Sequence, residues 1–325
     1  MNNGVQWQLQ RINTPELHAV AKVESSLVKG ARKYFDSQGF TEVIVPHLTK
    51  ATGACENVDT LFAVDFFGEQ AYLTQTGQLY LESLVPAMGK VYCIGPSFRA
   101  EEEADARHLC EFPLLELEFP GDLNQLMAHI EGTIVSMVKE ALAERRQELE
   151  LAGADASRLE QVAAPFKKVR YSDAVKIVGL EFGADLKSAH EAQLAHEFGD
   201  KPLFITHYPR EIKFFNMRTN SADATLVNST DLILPFGGEA VGSAEREWDY
   251  TILREKLSNS PMLKQLEKRG GSIKDFDWYL DNMRKHGSVP HAGCGIGLNR
   301  VTQFVLGKQD IRHCTAFPLN CETLL

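Results

Sequence analysis

The sequence predicts an α+β fold, an antiparallel β-sheet flanked by helices. Strand-like segments follow one another across short turns, with few of the β–α–β alternations that mark a parallel Rossmann sheet. No internal repeat or low-complexity tract interrupts them, and 325 residues suffice for one large domain or two small ones with a substantial core.

The elements can be justified in order. From Pro15 to Gly39, Val20, Val23, Leu27, Ala31 and Tyr34 recur at helical spacing and Gly39 suits a C-terminal stop. FTEVIVP reads as a strand ending at Pro46, and LFAVDFF and QAYLTQ as a hairpin turning at Gly68-Glu69. VYCIGPSF and PLLELEF are two strands on either side of an acidic loop. Residues 122 to 149 form a helix ending in the charged run EALAERRQELE, and LAGADASRLEQVAAP after it is the most linker-like stretch, read as a surface connection. PLFITHYP and TDLILPF are further strands, followed by an acidic helix around residues 244 to 256 and a terminal strand–helix unit.

With 44% apolar and 24% charged residues, the composition is that of an ordinary soluble globular protein. A net charge of −10 gives no electrostatic encouragement to nucleic-acid binding, although a local basic patch remains compatible with it. Cys55, Cys93, Cys110, Cys294, Cys314 and Cys321 make no CxxC pair and read as reduced thiols. Neither a signal peptide nor a membrane-length apolar run is visible, so a cytoplasmic protein is expected.

The chemistry concentrates in FRAEEEADARHLCEF, residues 98 to 112. Arg99, Arg107 and His108 can hold a triphosphate, Glu101 can accept from an adenine amino group, and Phe112 can stack on a base. Further along, HAGCGIGLNRVTQFVLG offers a glycine-rich approach and another arginine, Arg300. Activating a carboxylate with ATP needs positive charge on the phosphates, a metal for pyrophosphate and a rigidly held substrate.

These two stretches resemble motifs 2 and 3 of the class II aminoacyl-tRNA synthetases. From about residue 14 to 320 the chain is similar to the catalytic domain of aspartyl- and asparaginyl-tRNA synthetases, closer to the archaeal and eukaryotic asparaginyl branch. YLTQTGQLYLES, YCIGPSFRAE, RHLCEF, THYPREIKFFNMR, DLILPFGGEAVGSAERE and RKHGSVPHAGCGIGLNR carry the resemblance in order. It implies the class II catalytic fold and an AMP-forming ligase that uses ATP and Mg2+. Arg99 would contact the α-phosphate and the substrate carboxylate, with Glu101 on the adenine amino group. Phe112 and Arg300 would sandwich the base, and Arg107 and His108 would lie near the β- and γ-phosphates. Asp231 and Glu239 match magnesium-binding acids; for Asp231 the plainer alternative is a strand-end carboxylate. Residues 1–13 would be an N-terminal extension and 14–325 the catalytic domain, with the β-barrel anticodon-binding domain expected to be absent.

By the same resemblance Glu56 and Gln78 hold the α-amino group and Arg246 contacts the side-chain oxygen. Aspartyl enzymes place a lysine where this chain has Leu81, and the next residue, Glu82, follows the asparaginyl pattern. A carboxylate there accepts from a carboxamide and repels a side-chain carboxylate, unless Glu82 is simply a surface helix residue. Three departures stand out: the motif 2 loop reads EEEAD where relatives carry basic residues, Asn57-Val58 replaces two glycines, and Asn299 and FPLN replace a glutamate and FPR in and after motif 3. The acidic loop would repel tRNA phosphates. The leading expectation is therefore tRNA-independent and asparagine synthetase-like: aspartate, ATP and ammonia give asparagine, AMP and pyrophosphate. A close variant activates asparagine for a small acceptor. The alternatives are an asparaginyl-tRNA ligase reduced to its core and a silent regulatory module. Amino acid and ATP are the expected partners, tRNA a doubtful one, and an isologous homodimer the expected assembly.

Overall fold

A computed structural model of the chain describes residues 3–51 and 57–324. Helix α1 (Asn3–Arg11) leads to Thr14, whose side chain accepts from Leu17 N and caps α2 (Pro15–Ser37). There follow β1 (Thr41–Glu42), β2 (Leu48–Thr49), the hairpin β3 (Ala63–Phe66) and β4 (Glu69–Leu73), and α3 (Gln78–Met88). Next come β5 (Val91–Phe98), β6 (Glu111–Phe119), α4 (Leu123–Glu144), α5 (Arg146–Leu151), α6 (Ala156–Glu160), β7 (Lys167–Arg170), α7 (Tyr171–Ile177) and α8 (Ser188–Glu197). The chain closes with β8 (Leu203–Thr206), β9 (Ser229–Leu234), β10 (Gly238–Glu245), α9 (Tyr250–Asn259), α10 (Pro261–Lys268), α11 (Asp277–His286), β11 (Ala292–Gly297) and α12 (Leu298–Leu306).

The main sheet has the order β1-β5-β6-β11-β10-β9-β8-β7. All its pairings are antiparallel except the two at the edges, β1–β5 and β7–β8. Strand alternation then decides which face does what. Leu115, Leu117 and Phe119 of β6, Leu232 and Leu234 of β9, and Cys294 and Ile296 of β11 join Val23, Leu27 and Ala31 of α2 and Ile130 and Ile134 of α4 in the principal core. The intervening residues Leu114, Glu116 and Glu118, Asp231, and Gly293 and Gly295 fall on the opposite face, where the cleft lies. Glycine is required at Gly293, because a Cβ there would overlap the Glu118 carboxylate.

Several expectations are corrected. FTEVIVP supplies only the two-residue β1; beyond it Val43 N still donates to Tyr92 O at 2.8 Å, and Ile44 is 97% exposed. The helix expected over 122 to 149 breaks at Arg145, whose φ of −133° and ψ of 30° leave the helical region. The linker-like stretch 151 to 165 is not a surface connection: it contains α6, and Ala152 and Leu159 are buried in the principal core. The acidic helix around 244 to 256 begins only at Tyr250, after Asp249 caps it by accepting from Thr251 N and Ile252 N. Glu245 still belongs to β10. Among the described residues no helix is long and apolar enough to cross a membrane.

Helix α1 docks on the C-terminal segment. Gln8 Nε2 donates to Pro318 O at 2.5 Å, Arg11 donates to Arg312 O at 3.0 Å, and Trp7 meets His313 edge-on at 5.5 Å.

Candidate active site

A cleft of about 630 Å³ opens on the sheet face away from α2 and α4. It brings together Gln78, Arg99, Glu101, Arg107, His108, Phe112, Asp231, Glu239, Arg246 and Arg300, ten of the twelve residues singled out in the sequence. Glu56 lies outside the described residues. Glu82 is enclosed one layer behind Gln78, its side chain 1% exposed, rather than on the cleft wall or on a helix surface.

At the wide end, β5 and β6 deliver the arginines. Arg99 N donates to Cys110 O at 2.8 Å, and the guanidinium lies 5.1 Å from the centroid of the Phe112 ring. In the loop between the strands Asp105 turns back on its own chain: it accepts from Arg107 N at 2.7 Å and His108 N at 2.8 Å, and its Oδ2 lies 2.8 Å from His108 Nδ1. Two of the loop's carboxylates, on Glu102 and Glu103, belong to exposed residues. Arg300 donates to Gly237 O at 3.0 Å; burial, then repulsion from Arg107, lowers its pKa to about 10, leaving it cationic at neutral pH.

Glu191 of α8 went unrecognised in the sequence. Its Oε2 accepts from Arg107 Nη2 at 3.2 Å and from Glu239 N at 3.0 Å. The turn before β10 must pass close: Gly238 has φ +66°, and a Cβ there would lie 2.6 Å from Glu191 Oε2. A signal did exist, since Glu191 shares a buried helical stripe with Leu194 and Ala195. Lys213 was also missed; its Nζ lies 2.6 Å from Asp231 Oδ2 and 4.0 Å from the Tyr208 ring.

Asp231 and Glu239 face each other across β9 and β10. Glu239 is an exposed residue at the cleft; the surrounding protein, then the charge of Asp231, push its carboxyl above the ordinary carboxylate range, and solvent screens that push. Asp231 Oδ1 is buried and has no hydrogen-bond partner among the described residues. An unsatisfied carboxylate oxygen beside a second acid fits a hard divalent cation. Among the described residues no group of three or more potential ligands occurs, so two carboxylates would share such an ion with phosphate and water oxygens.

The narrow end is backed by a buried ionic network. Arg246 donates from Nε and Nη2 to Glu118 Oε1 at 3.0 and 2.7 Å, and its Nε lies 3.8 Å from Glu82 Oε1. Glu82 Oε1 accepts from Gln78 Nε2 at 2.5 Å and Asn216 Nδ2 at 3.2 Å. Its Oε2 accepts from Tyr279 OH at 2.5 Å, with His291 Nε2 at 3.4 Å. Burial alone would raise the Glu82 pKa, but the hydrogen bond and charge of His291, with Arg246 and Tyr279, outweigh it and hold the pKa at about 2. Glu118 goes the other way: burial pushes it up to about 7. Glu116 caps the first turn of α3, accepting from Gly77 N at 2.6 Å and from the Thr76 hydroxyl.

The unusual residues fit locally. Asn57 has φ −75° and its Oδ1 accepts from Asp59 N at 2.9 Å, while Val58 is fully buried against Leu61 and Leu79. Neither needs the backbone freedom of glycine. Asn299 Nδ2 donates to Glu24 Oε1 of α2 at 2.8 Å. Glu24 is half-buried and its carboxyl is raised to about 8, so a glutamate at position 299 would set two carboxyl groups against each other.

The model for class II tRNA synthetases (D, K and N) matches residues 5–321. The asparagine–tRNA ligase of Desulforamulus reducens is 37% identical over 327 residues, covering 97% of this chain and 73% of that protein. That of Pyrococcus furiosus is 38% identical over 314 residues, 94% and 69% of the two chains. The structure of Pyrococcus horikoshii asparaginyl-tRNA synthetase complexed with asparaginyl-adenylate superposes with a TM-score of 0.89 at 36% identity, over 98% of this chain and 72% of that one. These relatives favour the tRNA-ligase alternative over the tRNA-independent reaction expected from the acidic loop. With sheet, cleft and family match in agreement, the chain belongs to the class II tRNA synthetases of the aspartate, lysine and asparagine group and is an AMP-forming ligase of that class.

Proposed function

We propose that this chain activates asparagine with ATP, forming asparaginyl-adenylate and pyrophosphate, and passes the asparaginyl group to the 3′ end of tRNA. The observation that carries this reading is the ionised, fully enclosed Glu82, one layer behind the Gln78 and Arg246 side chains that line the narrow end of the cleft. A permanent negative charge there suits the NH2 of a carboxamide and opposes a side-chain carboxylate. Arg246, already held by Glu118, offsets part of that charge and can donate to the amide oxygen. This removes the tension in an aspartate-activating scheme, since an aspartate β-carboxylate would have to approach an anion that stays charged at physiological pH.

Class II synthetases use ATP as a substrate, typically with Mg2+. In the reaction the α-carboxylate of asparagine attacks the α-phosphorus and the bond to pyrophosphate breaks. Arg99 would hold the carboxylate and α-phosphate in line, its planar fork suiting two oxygens at once. Phe112 and Arg300 would enclose the adenine, Glu101 would accept from its amino group, and Arg107 and His108 would meet the outer phosphates. Asp231 and Glu239 would hold magnesium, which neutralises charge on the leaving pyrophosphate. Gln78, whose NH2 end is fixed by Glu82, would accept from the α-ammonium group through its carbonyl.

The acceptor is supported by the asparagine–tRNA ligases that the chain resembles along nearly its whole length. Asp105 is held by the N–H groups of Arg107 and His108 and by the His108 ring, which leaves Glu102 and Glu103 as the exposed acids of the loop. A homodimer through the segment after β1, where Ile44 is 97% exposed, completes the reading, and sedimentation tests it. The function is tested by pyrophosphate exchange and tRNA charging. Asparagine-dependent exchange without ammonia, and charging of tRNA with asparagine, are expected. AMP release that requires both aspartate and ammonia would overturn the proposal.

A further inference from the structure

Two cysteines that play no part in the chemistry above meet beneath the acidic loop. Cys110, immediately before β6, donates from Sγ to Glu101 O at 3.6 Å. Cys321, in the C-terminal segment, donates from Sγ to the neighbouring carbonyl, Glu102 O, at 3.3 Å. The backbones are also joined: Cys110 N donates to Leu319 O at 2.7 Å, and Glu111 bridges Leu319 in antiparallel register. That register sets Cys110 opposite Asn320, one residue short of Cys321. Cys110 is 5% exposed and Cys321 is exposed, so one thiol is open to reagents and the other sheltered behind it. Burial raises the Cys110 thiol pKa, and nearby Cys321 adds to the shift.

We propose that Cys110 and Cys321 form a reversible disulfide that pins the loop between Arg99 and Arg107 to the C-terminal segment and so suppresses ATP use. The oxidant is a low-molecular-weight disulfide. The Cys321 thiolate attacks one of its sulfurs, breaking the S–S bond and expelling a first small thiol. Cys110 then loses its proton and attacks Cys321 Sγ, forming the protein disulfide and expelling a second small thiol. The two cysteines lose two electrons and two protons, and the oxidant gains them as two thiols. The covalent strut replaces the two weak thiol–carbonyl hydrogen bonds, fixing a loop that carries Glu101, Arg107 and His108. Small displacements of such groups are enough to slow a phosphoryl reaction.

The test uses the full chain and glutathione disulfide. Non-reducing peptide mapping is expected to show Cys110 linked to Cys321, with pyrophosphate exchange falling by about 10- to 100-fold and returning after reduction by dithiothreitol. Cys321→Ser is expected to keep basal exchange and become insensitive to the oxidant; Cys110→Ser should stop at a glutathione adduct on Cys321. A stable adduct at Cys321 in the unsubstituted protein, or a link to Cys55 instead, overturns the pairing. A Cys110–Cys321 link that leaves exchange unchanged overturns the suppression. The effect on ATP depends on the site assignment proposed above, whereas the disulfide is seen by mapping alone, so the two failures are distinguishable.

Discussion

At the wide end of the cleft three arginines, Arg99, Arg107 and Arg300, line open space against a few acids at its margin. At the narrow end a single arginine, Arg246, is walled in by Glu82 and Glu118, with His291 and Tyr279 completing the network. The wide end suits charge that arrives with the ligand and leaves with it. The narrow end is nearly balanced before any ligand enters, so a neutral carboxamide upsets it less than an ion would. Phosphate affinity is thus expected from arginines that face open cleft, and choice of amino acid from charge that is already spoken for.

The largest effect should come from the wide end. Arg99→Ala is expected to lower pyrophosphate exchange by about 100- to 1,000-fold, because an in-line cation acts mainly on the transition state. Exchange within a few-fold of the unsubstituted protein would remove Arg99 from the site. At the narrow end, Glu82→Gln keeps the shape but removes the charge; the ratio of asparagine- to aspartate-dependent exchange is expected to drop by about 10- to 100-fold. An unchanged ratio would assign selectivity elsewhere.

A third prediction concerns stability beside the wide end, where Asn299 meets Glu24. With its carboxyl raised to about 8, Glu24 binds its proton more tightly when folded than when unfolded. Stability should therefore fall as pH climbs from the ordinary carboxylate range through that value. Glu82, depressed to about 2, has the opposite sign: its contribution is present above the ordinary range and lost as pH falls through its folded value. Urea midpoints at about pH 6 and about pH 9 should differ more for the unsubstituted chain than for Glu24→Gln. Asn299→Glu should destabilise, and Glu24→Gln should restore much of the loss; equal slopes and no rescue would dissolve the pair. The smallest effect is reserved for the loop. Replacing Glu102 and Glu103 by alanine should change exchange by less than about twofold while improving tRNA charging at low salt. A loss of exchange would mean that these acids belong to the ATP site.

Legibility in the sequence follows the same division. Arg99, Glu101, Arg107, Phe112 and Arg300 stood out because they sit in two short runs whose residue types announce phosphate and base binding. Glu191, Lys213, Tyr279 and His291 reach their partners across long separations, so no local pattern marks the contacts they make. Stretch 151 to 165 was misjudged for a related reason. Its glycine, alanines and polar residues resemble a linker, yet Leu159 and Ala152 are buried in the principal core, with α6 packed against α4 and α5. Leu159→Ala should cost about 2 to 5 kcal/mol in a denaturation experiment, where a true linker residue would cost under about 0.5 kcal/mol.

By itself the sequence determined the α+β class, several of the main strands, the arginines that gather in the cleft and the family, because periodicity and motif chemistry are local properties of the chain. Tertiary structure alone decided that Glu82 lies behind Gln78 rather than on the cleft wall, that Glu191 meets Arg107, and that Asn299 answers Glu24. Those outcomes depend on burial and on charges brought together from distant segments, and a carboxylate's behaviour is set by what encloses it.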